Sequence, residues 1–79
     1  MIPPRIVNVK ALDNFILELE YSTGEKKIYK LVEELSQKPY KKLNNIAYFN
    51  LVKAVGPTVQ WPDGEDIDPN RLYLNSTLL

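Results

Sequence analysis

The sequence predicts a small α+β domain: an antiparallel sheet of about five strands built from hairpins, one short helix across it, and a short C-terminal helical turn. Three observations carry that prediction. Residues 15–21 alternate apolar and polar side chains with a period of two. Gly and Pro punctuate a series of short β-branched runs. At 79 residues the chain has the length of a single domain, residues 1–79, and too little mass for a second core.

Residues 5–11 are β-branched and form the first strand, with Val7, Val9 and Ala11 on one face. Asp13-Asn14 ends it. In the second strand Phe15, Leu17, Leu19 and Tyr21 point to the core while Glu18 and Glu20 point to water. Ser22-Thr23-Gly24 returns the chain into a third strand, residues 25–31. A three-residue loop with Gly24 in the left-handed region sets Leu17 opposite Tyr29, Phe15 opposite Leu31 and Glu20 opposite Lys26. A two-residue turn would leave Leu17 facing Lys30, so the longer loop buries more apolar surface.

Residues 32–36 carry helical spacing between Leu31 and Leu35, and Pro39 forces an end nearby. Residues 39–50 read as short helical turns broken at Asn44-Asn45. Residues 51–55 and 58–61 read as a fourth and fifth strand around a Gly56-Pro57 turn. Asp68 before Pro69 is an N-cap followed by proline at the first helical position, which starts the last helical turn through Leu72 and Tyr73.

The inventory argues against catalysis. There is no His and no Cys, so the commonest general base, the strongest nucleophile and any thiolate metal site are missing. Neither the hydroxyl residues nor the three glycines fall in a nucleophile-elbow or phosphate-cradling pattern. The reading is a non-enzyme with no cofactor. No apolar run exceeds four residues, well short of a membrane helix, and Met1 leads into Ile2-Pro3-Pro4-Arg5 without a secretory pattern. A small disulfide-free domain points to the cytoplasm.

Ten basic and ten acidic residues cancel, which argues against direct nucleic-acid binding. They are unevenly placed, however. Lys26, Lys27, Lys30, Lys38, Lys41 and Lys42 lie in one stretch, and Asp63, Glu65, Asp66 and Asp68 in another. Lys26, Lys30, Lys38, Lys41, Lys42, Asp63, Glu65 and Asp66 are the candidate interaction residues, for a partner or for a second copy of the chain. The acidic run departs from the spacing of a calcium loop, because its glycine follows the first Asp directly. Asp66 is expected to bond backbone amides of the same corner. Trp61, the sole Trp, is expected in the core.

Two segments carry a resemblance. The turn Tyr21-Ser22-Thr23-Gly24-Glu25 and the closing run with Trp61-Pro62-Asp63-Gly64, Asp68-Pro69 and Leu72-Tyr73 resemble the bacterial domain-of-unknown-function family 2442, over nearly the whole chain. That resemblance implies a small cytoplasmic bacterial domain with an antiparallel sheet and a short helix. Some members carry a following helix-turn-helix domain, and some are encoded beside small partners in toxin–antitoxin-like gene pairs. It implies no catalytic residue. This chain departs from the pattern at Tyr29-Lys30-Leu31, where the family often has an acid, and it stops at Leu79, so any DNA effect is expected to come through a partner. The resulting expectation is a non-catalytic protein-interaction module, antitoxin-like or accessory, that binds another small protein or forms a homodimer. The alternative is a weak nucleic-acid-associated domain using the same lysines with Tyr40 and Tyr48.

Overall fold

The structure, a computed structural model, describes residues 2–79 apart from the Pro39 side chain. Six strands and two short helices confirm the α+β class. The strands β1 (Ile6–Leu12), β2 (Ile16–Tyr21) and β3 (Lys26–Lys30) form a meander, and β6 (Thr77–Leu78) pairs with the far side of β3. The strands β4 (Lys53–Val55) and β5 (Thr58–Gln60) make a separate two-stranded hairpin, so the strands sort into a four-stranded and a two-stranded sheet. Helix α1 spans Ile46–Phe49 and helix α2 spans Pro69–Asn75.

The β2–β3 register follows the three-residue loop: Leu17 faces Tyr29 and Glu20 faces Lys26, with Gly24 at φ +92°. Leu31 N–H donates to Phe15 C=O at 3.0 Å. Leu17, Leu19 and Tyr21 are buried on one face, and Tyr29 and Leu31 lie beside them in the core.

Three local expectations change. Val7 is exposed, because the β1 register shifts between Ile6 and Asn8. The bulge sends Ile6 inward in its place, and Val9 and Ala11 keep to the core side. The two-turn helix expected at 32–36 is only a 3-10 turn over Glu34–Ser36. Glu34 is drawn inward to the Tyr29 hydroxyl, Ser36 Oγ donates to Glu33 C=O, and Gln37 is extended. So short a helix has no stability of its own to resist those bonds. Finally, β6 adds a strand that the sequence does not announce: its two residues carry too little pattern, and pairing with β3 creates it.

A longer 3-10 segment, Lys38–Asn44, leads to α1, whose N-cap Asn45 accepts from the amides of Ala47 and Tyr48. The core joins Leu17, Leu19 and Tyr21 of the sheet to Leu43, Phe49, Trp61, Ile67 and Leu72 from the segments packed on it. Among the described residues, no helix is long and apolar enough to cross a membrane.

Candidate interaction surface

Trp61 is fully buried. Its ring stacks on Phe49 at a centroid distance of 6.1 Å, and its Nε1–H donates to Phe49 C=O at 2.9 Å. With the indole polar group satisfied inside the core, Trp61 is an anchor rather than a contact platform.

From that anchor the chain leaves in a tight turn. Gly64 N–H donates to Trp61 C=O and Trp61 N–H donates to Glu65 C=O, each at 2.9 Å, with Gly64 at φ +97°. A single bridge, Gln60 to Asp66, continues the pairing. Thr58 Oγ1 then donates to Ile67 C=O, and Asp68 caps α2 by accepting from Arg71 N–H at 3.0 Å.

Three side chains from residues 38–49 clasp this corner. Tyr40 donates its hydroxyl to Asp66 C=O at 2.8 Å. Tyr48 donates to Glu65 Oε1 at 2.6 Å and accepts from Asp63 N–H at 2.9 Å. Lys42 pairs with the Asp63 carboxylate. That partner raises the Lys42 pKa, and desolvation together with the Glu65 bond raises that of Tyr48. Both lysine and carboxylate are more than half exposed, so the pair itself contributes little stability.

The candidate residues therefore divide. Lys42 and Asp63 meet within one chain, and Glu65 is held by Tyr48. Lys38 and Lys41 stay exposed on the same clasp, and Asp66 and Asp68 are exposed on the corner. Asp66 does not bond the corner amides through its carboxylate. Its backbone carbonyl does the bracing, and the carboxylate faces solvent. Lys26 and Lys30 lie elsewhere, on the outer face of β3, opposite Glu20 and Ile16. Between them strand alternation turns Lys27 inward, where Nζ donates to Tyr73 C=O at 2.7 Å and sits 4.0 Å from the Tyr73 ring centroid. The lysine-rich stretch is thus two patches and one buried fastener.

Beside Tyr29-Lys30-Leu31 an acid is nonetheless present, supplied from later in the chain. Glu34 is buried, accepts from the Tyr29 hydroxyl, and lies 3.4 Å from Arg71 Nε, while Arg71 Nη2 donates to Glu33 at 2.8 Å. Burial and then the Glu34 bond push the Tyr29 pKa up to about 12. Each of the two acids is thus matched by a donor or a cation, the pairing that lets a buried carboxylate such as Glu34 be accommodated. Among the described residues, no three acids gather at metal-ligand distances.

Sequence reasoning misses the bracing roles of Tyr40, Tyr48 and Glu34. Their partners lie 26, 17 and 5 residues away, respectively. One signal points to the corner: Trp61-Pro62-Asp63-Gly64-Glu65 repeats the aromatic-x-x-Gly-Glu pattern of residues 21–25. The chain finds no match among curated proteins or among solved structures. The model of one family, described as "Protein of unknown function (DUF2442)", matches residues 6–77, and the chain belongs to that family.

Proposed function

We propose that this chain is a non-catalytic protein-interaction module of the bacterial cytoplasm, acting as the antitoxin-like or accessory member of a gene pair. The observation that supports this reading best is the clasped corner. Tyr40, Lys42 and Tyr48 brace the turn, so Lys38, Lys41, Asp66 and Asp68 extend into solvent from a frame with little freedom left to lose. Preorganised surface charge of both signs favours recognition of a partner with the complementary arrangement. The absence of His and Cys from the sequence is consistent with a role that requires no chemistry.

A nucleic-acid role is less well supported. The hydroxyls of Tyr40 and Tyr48 are engaged with the corner, and the Asp63 carboxylate already pairs with Lys42, one of the lysines that would meet phosphate. The test is affinity capture of the tagged chain from a lysate of its native bacterium, with and without nuclease. The expected result is one small protein retained after nuclease and lost from a Lys38→Glu/Lys41→Glu variant that keeps its far-ultraviolet spectrum. Recovery of only nuclease-sensitive material would replace this reading with the nucleic-acid one.

A further inference from the structure

The outer edge of β1 is a feature of the sheet that stands whether or not the clasped corner binds anything. β1 is an edge strand of the four-stranded sheet, with β2 as its only partner there. At its start, Ile6 N–H donates to Gly56 C=O of the β4–β5 turn, and the β4–β5 hairpin lies close against β1, so the free edge is the stretch that borders the groove, residues 9–12. Beyond Ile6, among the described residues, no hydrogen bond reaches the outer edge over residues 8–12. Every second residue there presents its N–H and C=O unpaired.

A groove of about 650 Å³ runs beside this edge. One wall is residues 9–12, four consecutive residues, so the groove follows the backbone edge and not one face of the strand. The other wall is Ile46, Phe49 and Asn50, and Asp13–Phe15 completes it. Ile46 is 63 % exposed, an apolar side chain turned toward the groove without cover.

The sheet's charge pattern indicates what fits. On the outer face Lys10 of β1 stands opposite Glu18 of β2, and Glu20 of β2 stands opposite Lys26 of β3. Strand by strand the outer face carries Lys10 on β1, Glu18 and Glu20 on β2, and Lys26 and Lys30 on β3, so a strand added beyond β1 is matched when its residue facing Lys10 is acidic. Its inward residues would lie between the β1 edge and Ile46 and Phe49, where apolar side chains fit. β2, the strand that β1 already accepts on its other edge, has that pattern in Leu17-Glu18-Leu19-Glu20.

We propose that the β1 edge is a β-augmentation site that takes an extended segment of a partner protein, with apolar residues alternating with acidic ones. A second β1 is a poorer occupant, since it would bring another Lys10 in place of the acids. The test uses a synthetic capped peptide copying residues 16–21, titrated into the full chain and followed by amide NMR shifts. The expected shifts fall on residues 9–12 and 46–50. N-methylating alternate peptide amides should abolish them. Lys10→Glu should weaken binding about fivefold, the scale of one cross-strand charge pair. Ile46→Glu, at an exposed position, should weaken it too.

Absence of shifts, or shifts unaffected by N-methylation, would overturn the proposal. Shifts spread over residues 26–30 would do the same, because they report exchange of β2 itself. Concentration-dependent shifts at residues 9–12 without peptide, with a dimer in sedimentation, would assign the edge to a second copy instead.

Discussion

The chain makes the same turn twice, at residues 21–25 and at residues 61–65. In each, a buried aromatic begins the turn, a left-handed glycine stands three residues later, and a glutamate closes it. The backbone bonds match: Gly24 and Gly64 donate to the aromatic carbonyl, and the aromatic amide donates to the glutamate carbonyl, all at 2.9 Å. Even the side chains correspond. Glu25 accepts from the Tyr73 hydroxyl and Glu65 from the Tyr48 hydroxyl, at 2.8 and 2.6 Å. The two turns part company in their continuations. After Glu25 the alternating Lys26-Lys27-Ile28-Tyr29 builds a full strand, whereas after Glu65 the run Asp66-Ile67-Asp68-Pro69 allows one bridge and then a helix. The turn sets direction, and the downstream pattern decides what is made of it.

The largest way to break the comparison is at the aromatics. Trp61→Ala should cost about 3–5 kcal/mol in chemical denaturation, through the cavity and the loss of the Nε1 bond. A well-folded variant with a near-unchanged midpoint would move Trp61 out of the core.

Alkali should come next. Burial raises Tyr21 to about 12, with Tyr73 and Glu25 adding to it, and Tyr29 also reaches about 12. Both folded values lie above the usual 10, so their contribution is complete below pH 10 and is lost as pH rises from 10 to 12. At 1.36 kcal/mol per unit the loss is about 3 kcal/mol for each tyrosine. Circular dichroism melts from pH 8 to 12 should show it, and Tyr21→Phe, whose buried hydroxyl has no partner among the described residues, should remove one share.

At the glycines the two turns should respond alike. A Cβ at Gly24 or Gly64 meets nothing within 4 Å, so substitution is penalised through the backbone alone. Gly24→Ala and Gly64→Ala should each cost about 1–2 kcal/mol. Unequal costs would show that the turns are alike in form only. The finest comparison is at the hydroxyls: Tyr48→Phe and Tyr73→Phe should each cost about 1 kcal/mol. Tyr48→Phe should be the larger, because it also frees the Asp63 amide.

The first turn and its register are legible in the sequence because everything that fixes them is local: Gly24, the alternation of residues 15–21, and the charge match of Glu20 with Lys26. Asp68-Pro69 is legible for the same reason. Residues 32–36 are not, since Glu34 is drawn to Tyr29 and Arg71 from elsewhere in the chain; the short turns on either side of Asn45 are legible, but their docking on Glu65 and Asp66 is not. Val7 is misplaced by a bulge that no residue type announces. The candidate surface is legible as residues but not as an arrangement. Alternation along β3 is enough to separate Lys27 from Lys26, whereas only the fold brings Lys42 to Asp63.

Lys27 has one more consequence. Its buried ammonium holds the Tyr73 carbonyl near the C-terminal end of α2, while Asp68 holds the first turn of that helix. A seven-residue helix would otherwise fray from both ends in water. Fastened in this way to β3, α2 is expected to open only with the sheet, so that hydrogen exchange should show the amides of the two protected as one cooperative unit.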